Sequence, residues 1–163
     1  MPPHHVPPAF VFGNPVHLVA FGFGSGLAPF APGTVGTLVG IPIYWLIHAH
    51  LSAPGYGVVT GLLFALGIWV CGRTSAALGG ADHSGIVWDE IVGYLITMSA
   101  APAGMGWVVT GFVLFRIFDI MKPWPIGLVD RRVHGGMGIM LDDALAGAYG
   151  AIIMAMAAPL MAR

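Results

Sequence analysis

The chain has 163 residues, 57% of them hydrophobic and only 8% charged, with six Lys/Arg against seven Asp/Glu for a formal net charge of −1. Soluble globular chains average about 25% charged residues, so a water-facing surface is excluded over most of this protein, and the near-neutral balance offers no basic face for nucleic acid. The one cysteine, Cys71, excludes an internal disulfide and a CxxC-type zinc site.

In chain order, MPPHHVPPAF opens a Pro- and His-rich flexible tail expected over 1–13, with no basic stretch ahead of an apolar one as a signal peptide requires. A single membrane domain is expected over 14–163. Its apolar runs cover 35–51, 58–72, 85–99, 107–120 and 144–161, broken by SAPGYG at 52–57 and APAGMG at 101–106. Such Pro/Gly clusters are turn signals. Backbone groups in lipid must be satisfied within their own segment, and no barrel-like alternation occurs, so the expected class is all-α. The runs predict a compact helical membrane protein of about five short membrane-embedded helices, two hairpins plus a C-terminal helix, each run being about 14 to 19 residues against the roughly 20 that cross a bilayer core. Trp88, Trp107 and Trp124 suit interfacial belts.

Charge is placed as sparingly as it is used. No Asp, Glu, Lys or Arg precedes Arg73, and 91–115 and 144–162 also lack them. All acids lie between Asp82 and Asp143, and every base but Arg163 lies between Arg73 and Arg132. Both Pro/Gly turns are uncharged and the charged islands sit at the far ends of the runs. Two hairpins therefore gather the islands on one membrane face, which the Lys/Arg bias makes cytoplasmic.

Ionisable residues in so apolar a chain mark function. Asp89 and Glu90 are adjacent within an apolar run. Arg116 and Asp119, three residues apart, share a helix face, and Lys122 precedes Pro123 at a helix end. Asp142 and Asp143 are expected to open the last helix, as dipole-stabilising caps or as part of a site. Carboxylates gathered without a Cys or His cluster favour a hard cation such as Mg²⁺. Arg116, Lys122, Arg131 and Arg132 beside that cation would meet an anion, most naturally a phosphate. The APGTVGT segment with Thr34 either brings backbone N–H groups near a phosphate or lets helices pack closely; it is not a Walker A loop. His83 and His134 are candidates for donating a proton to a leaving alkoxide or for interfacial hydrogen bonding.

Four stretches, GFGSGLAPFAPGTVGTL, DHSGIVWDEIVG, FRIFDIMKPWPI and DRRVHGGMGIMLDDALAG, resemble in sequence and order the phosphatidylglycerophosphatase A family of bacterial lipid phosphatases. The resemblance implies an all-helical protein of the inner membrane that hydrolyses phosphatidylglycerophosphate to phosphatidylglycerol and phosphate with Mg²⁺. By position it carries over Asp82, Asp89, Glu90, Asp119, Lys122, Asp142 and Asp143. On that basis Asp89, Glu90, Asp142 and Asp143 are expected to hold Mg²⁺, while Arg116, Lys122 and Thr34 bind the phosphate. Asp82, Asp119 and Glu90 are the candidate catalytic carboxylates, with Asp119 or Asp82 as general base for an attacking water. An aspartyl-phosphate intermediate is the alternative within the class, although the haloacid-dehalogenase pattern DxDx[TV] is missing. The rival from another class is a small membrane transporter or channel with an acidic cation site.

Overall fold

The computed structural model describes residues 6–80 and 83–161, and the described secondary structure is helical throughout, without a strand. The elements are α1 (Pro8–Phe12), α2 (Pro15–Ala20), a 3₁₀ segment (Gly22–Leu27), α3 (Pro32–His50), α4 (Ala53–Ala77), α5 (Trp88–Met98), α6 (Met105–Met121), α7 (Ile126–Arg132) and α8 (Gly135–Met161). A proline stands in the first two positions of each of α1 to α4, where its missing N–H costs no helical bond. The Asn14 side chain caps α2 by accepting the Val16 N–H at 2.9 Å.

Helix α5 is the centre of the molecule. It packs against α8 most extensively, and also against α3, α4 and α6. Nine of its residues are buried, among them Ile91, Val92, Tyr94 and Leu95. A helix buried on nearly every side belongs inside a bundle. This accounts for its shortness, because a helix encased by others has no bilayer to cross. Trp88, expected in an interfacial belt, is instead buried and donates its indole N–H to the Leu63 carbonyl at 3.1 Å, whereas Trp124 is exposed.

The turn expected over 52–57 is shorter than that: only Leu51 and Ser52 separate α3 from α4, and residues 53–57 form the start of α4, with Pro54 in its first turn. The two helices pack chiefly elsewhere, α3 on α5 and α4 on α8. Among the described residues, two helices are long and apolar enough to cross a membrane, Ala53–Ala77 and Gly135–Pro159. Outward stripes of apolar residues run along α4 (Val58, Leu62, Leu66, Trp69) and along α6 (Val109, Val113, Ile117, Ile120) at the three- and four-residue spacing of a helix face.

Two segments differ from the sequence-based expectation. Residues 8–12, assigned by composition to a tail, form α1, and Val6 and Val11 join the core cluster of Phe21, Val70 and Ile91. Helix α8 begins at Gly135 rather than near Ala144. Asp142 and Asp143 therefore stand about two turns inside the helix, beyond the turn where caps and the helix dipole act, and the capping account of this pair is overturned.

Candidate active site

The site is built where α5 and α8 touch. A Cβ on Gly93 would lie 2.8 Å from the Asp143 carbonyl oxygen, and one on Gly147 would collide with the Gly93 carbonyl, so only glycines let the two backbones come this close. Asp89 lies one turn before Gly93, and Asp143 one turn before Gly147, so the contact brings the two acids together. The start of α5 is fixed by the Val87 N–H, which donates to the Ala20 carbonyl at 2.9 Å. Asp89, Glu90 and Asp143 each offer a carboxylate oxygen, and these three lie within 4.8 Å of one another.

Burial sharpens the arrangement. Asp89 is 9% exposed and Asp143 3%. Glu90 Oε2 and Asp143 Oδ2 are buried without a hydrogen-bond partner among the described residues. A buried carboxylate oxygen without a donor costs free energy unless a cation or proton meets it. Like charges about 4.8 Å apart repel by roughly 3 kcal/mol per pair at an effective dielectric near 20. The all-oxygen donor set, its spacing and these oxygens fit a hard divalent cation.

Cationic side chains approach from the C-terminal end of α6. Lys122, the residue after α6, has a left-handed backbone (φ 43°) and sends its ammonium to Asp130 Oδ1 at 2.6 Å and Asp142 Oδ2 at 2.7 Å. Burial pulls this ammonium toward neutrality, but hydrogen bonds to Asp130 and Asp142, with their charges, outweigh it and hold the group above the ordinary lysine range. Arg116 Nη1 donates to Asp119 Oδ2 at 2.5 Å and stands 3.9 Å from Glu90 Oε1. A Cβ on Gly33, in the first turn of α3, would fall on Glu90 Oε1, so the α3 backbone presses directly on that carboxylate.

A cavity of about 230 Å³ joins these parts, lined by the three carboxylates together with His83, Ser84, Asp119, Lys122 and Asp142. Of the residues expected from sequence, Asp89, Glu90, Asp119, Lys122, Asp142 and Asp143 meet here. Asp142 was expected to hold metal; it lies on the cavity wall but outside the group of three, with one oxygen on Lys122. Arg116 stands behind the wall, against Glu90 and Asp119. Thr34 is half-buried and does not line the cavity; Gly33 beside it makes the contact. Asp82 lies outside the described residues. His134 lines a separate cavity of about 130 Å³ with Asp130 and Asp142. The Arg131 Nε–H donates to the Gly127 carbonyl of its own helix at 2.8 Å.

Sequence reasoning missed Asp130 as the second partner of Lys122, the contact of Gly33 with Glu90, and the α5–α8 approach. One signal for the last was present: DEIVG and DALAG each place a glycine four residues after an acid.

These features define an all-helical protein whose largely buried carboxylates, Asp89, Glu90 and Asp143, gather in one cavity with a fixed lysine in its wall. The phosphatidylglycerophosphatase A family profile matches residues 18–158. The chain is 49% identical over 142 residues to phosphatidylglycerophosphatase A of Escherichia coli, covering 86% of this chain and 82% of that protein. It is 44% identical to phosphatidylglycerophosphatase A of Haemophilus influenzae, covering 86% and 87%. A Bacteroides thetaiotaomicron relative, provisionally named a phosphatidylinositol-3-phosphatase, is 40% identical over 147 residues, covering 86% and 91%. No solved structure matches the chain. The chain belongs to the phosphatidylglycerophosphatase A family.

Proposed function

We propose that this protein hydrolyses the terminal phosphomonoester of phosphatidylglycerophosphate, giving phosphatidylglycerol and phosphate, at the bacterial inner membrane with its acid site on the cytoplasmic side. The observation that carries the reading is the group of Asp89, Glu90 and Asp143 facing Lys122 across one cavity. These three carboxylates would hold Mg²⁺, with Asp142 next to them. When bound, Mg²⁺ supplies charge stabilisation to the phosphoryl oxygens.

The chain's own residues do the rest. Lys122, clamped by Asp130 and Asp142, presents a fixed positive charge to the phosphate. Asp119, oriented by Arg116, takes the proton from the attacking water as general base and passes it by way of solvent to the departing alkoxide, so that the P–O bond to the glyceryl oxygen breaks with release of the alcohol. Arg116 acts through Glu90 and Asp119 by holding both in place. The Gly85 N–H donates to His83 Nδ1 at 3.0 Å, which puts the proton of the neutral ring on Nε2. In that form His83, in the wall of the acid cavity, is a hydrogen-bond donor for a phosphoryl oxygen.

Membrane residence is supported by the family, by two helices long enough to span, and by the exposed apolar stripes on α4 and α6. A transporter or channel would carry ionisable groups along its path. After Glu90, helix α5 runs to Met98 without another charged residue, which favours a one-sided site. The name of the Bacteroides thetaiotaomicron relative favours a second reading, phosphatidylinositol 3-phosphate as substrate, with the same phosphomonoester chemistry.

Phosphate release by the purified protein from each lipid, in EDTA and after Mg²⁺ is restored, tests the proposal. The expected result is release from phosphatidylglycerophosphate that EDTA abolishes and Mg²⁺ restores. Full activity in EDTA contradicts the metal role, and exclusive use of phosphatidylinositol 3-phosphate contradicts the substrate.

A further inference from the structure

We propose that a second cavity, beside the acid site, receives the glyceryl-ester end of the lipid substrate's acyl chains, so that the protein grips its substrate by both the phosphate and the start of the tails. The inference rests on the phosphatase reading above. The cavity has a volume of about 330 Å³ and is walled by Phe21, Leu27, Ala28, Pro29 and Pro32, with Val6 from the residues before α1. These side chains offer apolar surface and no charge. The other end is formed by His83 and Ser84, which also line the acid cavity. The apolar and acidic compartments therefore meet at these two residues.

The junction is held by backbone packing. A Cβ on Gly26 would collide with the Gly85 carbonyl, so the 3₁₀ segment lies directly on the 83–85 loop. Two residues flanking the lining, Phe23 (φ 60°) in the 3₁₀ segment and Ala31 (φ 44°) just before α3, adopt left-handed backbone without being glycine. Such residues persist only where their surroundings enforce them, and they cluster at ligand sites. The same wall turns aromatic rings outward. Phe30, next to the lining residue Pro29, is 85% exposed, and Phe23 is 54% exposed. No charged residue occurs before Arg73, so this rim is uncharged as well as apolar. Exposed aromatic rings on an uncharged rim suit the surface of a bilayer.

The occupant follows from the chemistry of the neighbouring site. A phosphomonoester held in the acid cavity is joined, through a short polar linker, to a glycerol bearing two fatty esters. The apolar compartment that opens on the phosphate site is where that ester region comes to lie. Both phosphatidylglycerophosphate and phosphatidylinositol 3-phosphate carry this region, so the cavity reads the feature they share, and headgroup choice belongs to the acid side.

The test compares two substrates with the same phosphomonoester: long-chain phosphatidylglycerophosphate in mixed micelles, and its deacylated, water-soluble headgroup. Ala28→Trp fills the apolar cavity and Ala28→Leu fills it in part. The expected result is a KM for the lipid raised about tenfold in Ala28→Trp and less in Ala28→Leu, with kcat near that of the wild type and the deacylated substrate turned over as before. Activity on the deacylated substrate also reports that each variant has folded. An unchanged KM for the lipid in both variants overturns the inference, as does an equal loss on both substrates. Wild-type protein that hydrolyses neither substrate defeats the phosphatase reading itself, and that result is seen before any variant is compared.

Discussion

Asp89, Glu90 and Asp143 face one another with carboxylate oxygens within 4.8 Å, whereas Asp130 and Asp142, a short way off, close on the Lys122 ammonium at 2.6 and 2.7 Å. The first group gathers negative charge and leaves Glu90 Oε2 and Asp143 Oδ2 without a donor among the described residues. The second shares one ammonium between two carboxylates, so each of them has a cationic partner within the chain. Neighbouring acids thus stand in two different states: one, the open group, keeps these oxygens without a donor, and the other, the closed group, holds the chain's own Lys122. Folding bears the repulsion of the open group because α5 and α8 are held together by apolar packing and by the Gly93–Gly147 contact.

Breaking the open group should have the largest effect. Asp143→Asn or Asp89→Asn keeps the shape and removes a charge, and phosphate release is expected to fall on the order of 10³-fold. The same variants in EDTA should melt higher, by about 2–4 °C for each roughly 1 kcal/mol of repulsion removed. Loss of activity with a gain in Tm is a signature that simple misfolding does not give. Breaking the closed group comes next. Lys122→Ala leaves Asp142, 7% exposed at its side chain, facing Asp130 without the ammonium between them. It is expected to cost about 1–3 kcal/mol of stability, discounted for the partial exposure of the pair, and to lower kcat, as a denaturant melt and a kinetic assay would read.

Smaller changes sharpen the comparison. Gly33→Ala pushes against the far end of the Glu90 side chain, which can move, so activity should fall about tenfold while Tm stays nearly constant. Asp130→Asn removes only the more exposed partner of Lys122, and a loss of about two- to threefold in activity is expected, since exposed ion pairs contribute about 1 kcal/mol or less.

The apolar runs separated by Pro/Gly turns made α3, α4, α5 and α6 readable from the sequence, because bilayer-like runs and turn residues are both local signals. The start of α8 was not readable. GGMGIMLDD carries glycines and acids that read as a loop, yet it is helical where it packs against α4, α5 and α7, and tertiary contacts override local propensity there. The acids of the site were found by their rarity in an apolar chain. Their division of labour was not, since Lys122 meets Asp130 and Asp142 across an irregular turn whose path no periodicity encodes. The role of Arg116 was likewise hidden: a guanidinium three residues from Asp119 looks the same in sequence whether it meets a phosphate or holds carboxylates.

The claim on which the rest depends is that Asp89, Glu90 and Asp143 together hold one divalent cation. Calorimetric titration of Mg²⁺ into metal-stripped protein tests it most directly. Saturable binding is predicted for the wild type and for Asp130→Asn, and its loss for Asp143→Asn. Binding by Asp143→Asn equal to that of the wild type would contradict it.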